Sequence, residues 1–193
     1  QAHPYVASVS LTDLLPERSA ALSEKFGVSE IYASFEEMLK SKTVNAVAIF
    51  AQRHLHGPLT IAALKAGKHV YSAVPMASKA EEIAEIVDLV KKTGLTFSMG
   101  ETGHYRPCSI FCRQKLKSGE MGDFAYGESQ YNHDMRHFDY KYSGGENWKQ
   151  VAGVPPMLYP THSTGMILSA TGSWARKVAA FGYIDQVGDD IFG

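Results

Sequence analysis

The eight histidines are the side chains of this sequence best suited to exchanging protons near neutral pH, and their neighbours decide what each could do. Two strings are richest in such chemistry. Gln130-Tyr131-Asn132-His133-Asp134-Met135-Arg136 gathers phenol, imidazole, carboxylate and guanidinium, and Leu158-Tyr159-Pro160-Thr161-His162 sets an imidazole shortly after a phenol. His133, Asp134, His137 and Asp139 invite a metal reading, because imidazole and carboxylate suit zinc or manganese. On a strand, however, His133 and Asp134 point to opposite faces, so no metal site is expected. Asp134 and Arg136 read better as a polar network that holds substrate hydroxyls or a domain junction. The aromatic set Tyr126, Tyr131, Phe138, Tyr140 and Tyr142 reads first as sheet packing, with stacking on a sugar as the alternative. His162, four residues after Leu158, also fits the start of a helix. Ser72 lacks the flanks of a nucleophile elbow, and neither Cys108 nor Cys112 has a base beside it.

These groups need a frame, and the clearest part of it is Gly67-Lys68-His69-Val70-Tyr71-Ser72-Ala73-Val74-Pro75-Met76-Ala77. Gly67 stands where a helix ends in positive φ, residues 69–71 give a short apolar strand, and Pro75 turns the chain at the edge where doubly wound sheets place ligands. Before it, a strand over residues 6–11 leads to Asp13 at its tip and to a helix with Pro16 in its first turn and Gly27 at its end. Ile31-Tyr32 is a second strand. Ser34 and Glu37 form a capping-box pattern for a helix through Leu39, and residues 44–50 are a nearly continuous apolar run of the kind buried on both faces of a parallel sheet. Helices over 54–66 and 80–92 and a strand over 95–99 complete a βαβαβαβαβ order. Such an order predicts an α/β fold with a Rossmann-type, doubly wound parallel sheet.

After Gly100 the pattern changes. Residues 106–118 read as a helix, 122–131 alternate like an antiparallel strand, 144–156 hold glycine and proline clusters that read as a loop, 161–170 form a helix and 177–184 a last strand. Two units are expected: a partial dinucleotide-binding domain over residues 1–103, and over 104–193 part of an α+β substrate and oligomerisation domain with a mainly antiparallel sheet.

The composition excludes several classes of function. With 45% hydrophobic and 20% charged residues in 193, the chain can bury a core. Its 19 Lys and Arg against 20 Asp and Glu give no positive field and no basic run to follow a phosphate backbone, so nucleic acid is not an expected partner. Two cysteines four apart on one helix face make no disulfide framework, which permits a reducing compartment. No apolar run is long enough for a membrane helix and no signal-peptide pattern opens the sequence. A cytoplasmic location is expected; an exported form stays open because the chain reads as starting in mid-fold.

Asp13 at a strand tip, the apolar strand over 44–50, Gln52-Arg53-His54-Leu55-His56, Ala63-Leu64-Lys65-Ala66-Gly67-Lys68-His69-Val70 and Val74-Pro75-Met76-Ala77 together resemble the Gfo/Idh/MocA oxidoreductases over residues 6 to about 185. The resemblance implies a nicotinamide cofactor, NAD with NADP as an option, lying across the Rossmann sheet, and a following domain that presents a small carbohydrate or cyclitol. It implies that Asp13 accepts from the adenosine ribose hydroxyls, that Gln52, Arg53, Val74 and Pro75 lie along the cofactor, and that His56 stands near the nicotinamide. The family's glycine-rich phosphate turn has no counterpart here, so the first βα unit reads as missing. Valine stands at Val74 where most relatives carry a lysine.

The two downstream strings, with Glu101-Thr102-Gly103-His104-Tyr105, resemble one branch of that family, the NAD-dependent α-N-acetylgalactosaminidase-like proteins, which also carry this valine. On this resemblance His162 is the expected base, Tyr159 and Tyr105 its polar partners, and His133, Asp134 and Arg136 bind substrate. Oxidation of a hydroxyl-bearing carbon needs a base within hydrogen-bond reach of that hydroxyl. Three readings follow: an NAD(P)-dependent oxidoreductase acting on a sugar or cyclic polyol, a glycosidase that uses NAD transiently for oxidation and elimination, and a non-catalytic sugar-binding relative. A homo-oligomer is implied as well.

Overall fold

The computed structural model describes residues 3–132 and 160–182. In order, the elements are β1 (Ser10–Leu11), α1 (Pro16–Phe26), β2 (Glu30–Ile31), α2 (Phe35–Lys40), β3 (Ala46–Ile49), a 3-10 turn (Arg53–Leu55), α3 (His56–Lys65), β4 (His69–Ser72), α4 (Ala80–Thr93), β5 (Phe97–Met99), a second 3-10 turn (Thr102–Tyr105), α5 (Pro107–Lys117) and α6 (Thr161–Thr171).

Local chemistry sets the helix limits. Pro16 occupies the first turn of α1, where its missing N–H costs nothing, and Gly27 closes the helix at φ 65°. The Ser34 side chain accepts the Glu37 N–H at 3.2 Å and so starts α2. Gly94 ends α4 at φ 69°, with Glu81 and Glu82 in the first turn and Lys91 and Lys92 in the last, each favoured by the helix dipole.

Strands β3, β4 and β5 pair in parallel in that order, with Ala46 opposite His69 and Val70 opposite Phe97. Strict alternation buries Val47 and Ile49 of β3 and Val70 and Ser72 of β4 on one face. Ala63 and Leu64 of α3, Ile86 of α4, Met38 of α2 and Ala77 join the same core. Leu64 and Ile86 are almost wholly buried, each stabilising the fold by roughly 1.5–3 kcal/mol relative to exposure. Lys68 is also buried, and its ammonium donates to the carbonyls of Ser41 at 2.6 Å and Val44 at 2.8 Å, which ties the end of α2 to the start of β4. Because the three strands run in parallel, their carboxyl ends open on one edge, where residues 51–53, 73–75 and 100–101 leave the sheet.

Beyond the sheet, α5 and α6 pack together and against the second 3-10 turn. Arg113 of α5 is the staple: Nε donates to the Ser169 carbonyl at 3.0 Å, and Nη2 donates to the His104 carbonyl at 2.7 Å and to the Ser169 hydroxyl.

Three expectations are corrected. Strand β1 pairs only with β2, and among the described residues no pairing joins these two to β3-β4-β5, so the parallel sheet is in two parts. Residues 122–131 form no strand among the described residues: they are almost all exposed, and alternation alone gives no ladder without a partner. The same holds for 177–182, the described part of the last expected strand, so the antiparallel sheet of the second unit has no described strand. Among the described residues no helix is long and apolar enough to cross a membrane.

Candidate active site at the carboxyl edge of the sheet

The carboxyl edge receives an imidazole from far along the chain. His162, in the first turn of α6, is 7% exposed, and its Nδ1 lies 2.7 Å from Oε1 of Glu101, two residues past the end of β5. The same oxygen accepts the Gly103 N–H at 2.7 Å. The Tyr131 ring stands against the imidazole itself, with ring centroids 4.7 Å apart and planes tilted by 49°. The buried Oε2 of Glu101 and the buried Thr161 hydroxyl each lack a well-formed hydrogen bond.

Opposing effects set the charge of Glu101. Burial pushes its carboxyl up, but the hydrogen bond with His162, the Gly103 N–H, the charge of His162 and, most weakly, the Thr161 hydroxyl together outweigh it. The group is held below its ordinary range and stays a carboxylate near neutral pH. A carboxylate only accepts, so it faces an Nδ1–H.

A second histidine ties the loops of this edge. His56, 1% exposed at the start of α3, has Nδ1 2.7 Å from the Pro75 carbonyl and Nε2 2.9 Å from the Ala51 carbonyl. The loops after β3 and β4 are therefore held to one side chain. Val74 is buried and joined to Pro75 by a cis peptide bond. Gln52 is exposed at the start of the 3-10 turn, and the Arg53 carbonyl accepts the Ser78 hydroxyl at 3.4 Å. Asp13 lies two residues past β1, in the other part of the sheet, with Oδ1 accepting the Leu15 N–H at 2.9 Å.

The structure thus gathers His56, Pro75 and the residues around them, and separately gathers His162 with Glu101 and Tyr131. Tyr105 is 67% exposed and its ring stands edge-on to His104 at 4.8 Å. Tyr159, His133, Asp134 and Arg136 lie outside the described residues. Glu101 and Tyr131 were not expected in the site, although both stand in the strings that carried the resemblance. The signal for Glu101 was a lone acid two residues past an apolar strand, between Gly100 and Gly103.

The model of an oxidoreductase family with the NAD-binding Rossmann fold, GFO_IDH_MocA, matches residues 1–101. The chain is 27% identical over 187 residues to trans-1,2-dihydrobenzene-1,2-diol dehydrogenase of Mus musculus, covering 96% of this chain and 54% of that protein. It is 27% identical over 138 residues to a glycosyl hydrolase family 109 protein of Shewanella baltica, covering 69% of this chain and 30% of that one. A crystal structure of scyllo-inositol dehydrogenase from Lactobacillus casei, with bound cofactor NAD(H) and scyllo-inositol, is 25% identical and superposes with a TM-score of 0.56 over 59% of this chain and 34% of its own. The chain spans about half the length, or less, of the relatives it matches.

Proposed function

Because this chain belongs to the Gfo/Idh/MocA oxidoreductase family, we propose that it acts as an NAD(P)-dependent oxidoreductase on a sugar or cyclic polyol, with His162 as the base. The observation that carries this reading is the seat of His162: a buried imidazole, brought by α6 to a residue at the carboxyl end of β5 and oriented there by a carboxylate. That edge is where open α/β sheets bind ligands.

The residues present fit a dinucleotide. Asp13 commits one oxygen to the Leu15 N–H, and among the described residues its other oxygen makes no hydrogen bond, which leaves an acceptor for ribose hydroxyls. Gln52, Arg53, Val74 and Pro75 follow β3 and β4 on the carboxyl edge and would line the cofactor. When bound, the nicotinamide supplies the hydride acceptor. His162 takes the hydroxyl proton at Nε2 as that carbon becomes a carbonyl, and Glu101 balances the charge on the imidazolium. Tyr159, Tyr105, His133, Asp134 and Arg136 are assigned to the substrate, as hydroxyl-directed donors and acceptors. The protein is further read as cytoplasmic and homo-oligomeric; sedimentation of the intact protein as a monomer would overturn the second point.

One observation favours a second reading. The likeness to a glycosyl hydrolase family 109 protein, together with Val74 where a lysine could have bonded a reacting hydroxyl, fits a glycosidase that uses NAD transiently. The experiment is fluorescence titration of the intact protein with NAD and NADP, followed by a screen of free sugars, cyclitols and aryl glycosides. NADH accumulating with a free polyol supports the oxidoreductase. Glycoside cleavage without net NADH supports the glycosidase, and absence of binding to either dinucleotide overturns both in favour of a non-catalytic sugar-binding protein.

A further inference from the structure

We infer that Glu101 is the positioning residue of this site: its carboxylate fixes which nitrogen of His162 carries the proton and holds the ring where α6 delivers it. The inference rests on the reading of His162 as the base. A neutral imidazole has one N–H and one lone pair, and either nitrogen can hold the lone pair. Glu101 Oε1, 2.7 Å from Nδ1, accepts and does not donate, so the ring is held as the Nδ1–H form with its lone pair at Nε2. The Gly103 N–H at 2.7 Å on the same oxygen keeps the carboxylate from swinging away.

The surroundings are shaped for this side chain. A Cβ added at Gly103 would come within 2.9 Å of Glu101 Oε1 and 3.3 Å of the His162 carbonyl, and one at Gly165 would come within 3.2 Å of Glu101 Cγ. The 3-10 turn and α6 therefore close on the glutamate from two sides, each with a glycine at the point of contact. A simpler role, capping the 3-10 turn, needs only the Gly103 N–H. It does not explain why the Glu101 side chain is only 9% exposed, since burying a charge is costly unless it is paired. The partner that repays that cost is His162.

The test compares E101M, which keeps the length of the side chain without an acceptor, with E101Q, which keeps an acceptor oxygen without the charge. The ring nitrogens of His162 are read by 15N NMR, assigned by their loss in H162N, and turnover is measured on the polyol that reduces NAD. In the wild type the Nδ1–H tautomer should dominate; in E101M both tautomers should be populated, and kcat should fall on the order of 10²-fold with KM within about threefold. E101Q should restore the tautomer and bring kcat to within about tenfold of wild type. An E101M protein with the wild-type tautomer, or with its loss confined to KM, overturns the inference. If E101M does not fold, G165A presses on Glu101 Cγ instead and should lower kcat in the same direction; wild-type kcat in a folded G165A whose tautomer has shifted overturns the inference too. Failure of the wild type to bind any dinucleotide would overturn the proposed function, while the tautomer comparison would still report on Glu101.

Discussion

Removing the His56 ring should unfasten the carboxyl edge, and the cost can be worked out from its two contacts. The ring is 1% exposed and touches the Pro75 and Ala51 carbonyl oxygens at 2.7 and 2.9 Å. H56F keeps most of the volume but offers no donor, and each buried acceptor left without a partner costs roughly 1–3 kcal/mol. A neutral ring donates to one of the two carbonyls, so H56F should destabilise by about 1–3 kcal/mol. H56A adds a cavity at the head of α3 and should lose about 2–5 kcal/mol in all. Against a typical total of about 5–15 kcal/mol, both are measurable as lower urea midpoints with an unchanged slope. Dinucleotide affinity should fall with the same ranking, because residues 51–53 and 73–75 are the loops the ring joins. An H56F protein as stable as wild type beside a destabilised H56A would show that packing alone matters here, and would refute the tie.

Two further outcomes follow from separate features. At Gly94 an added Cβ meets nothing within 4 Å, so only the left-handed backbone at φ 69° resists a side chain; G94A should cost about 1 kcal/mol in thermal or urea unfolding without altering cofactor binding. Glu101 is held below its ordinary value of 4.5 in the folded protein, so on acidification the unfolded chain takes up this proton first. Its contribution to stability is present above that ordinary value and is lost as pH falls through the lowered folded one. Wild type should therefore lose stability more steeply than E101Q below about pH 4.5 in urea titrations, and parallel curves would contradict the pairing with His162.

Helix limits could be read from the sequence because their causes are local. Ser34, Pro16, Gly27 and Gly94 act within one turn of the ends they set, and each expected helix before Gly100 is present within a few residues. Strands were harder, since a strand exists only where a neighbour pairs with it: the apolar run over 6–11 yields a ladder of two residues, and the alternation over 122–131 yields none among the described residues. The site divides in the same way. His162 could be singled out by residue type and by the string around it, whereas Glu101 acquires its role from a partner 61 positions away that only the packing of α6 supplies. His56 was expected near the nicotinamide; the carbonyl oxygens that lie 2.7 and 2.9 Å from its two nitrogens are invisible in any sequence pattern.

The glycine-lined slot around Glu101 also constrains how this sequence can drift. Gly103 and Gly165 both sit against the glutamate, so while Glu101 is in place a methyl added at Gly103 crowds Oε1 and one added at Gly165 crowds Cγ. Were the glutamate shortened first, Gly165, whose added Cβ has Glu101 atoms as its three nearest neighbours, would be released to accept a side chain that blocks return to glutamate. At Gly103 the Met166 side chain at 3.1 Å and the His162 carbonyl at 3.3 Å would still stand in the way. Glu101 and Gly165 should thus change together across homologous sequences, in a fixed order and with a ratchet against reversal, while Gly103 stays glycine. Chains that have passed through that ratchet would be the ones whose histidine has lost its orienting partner.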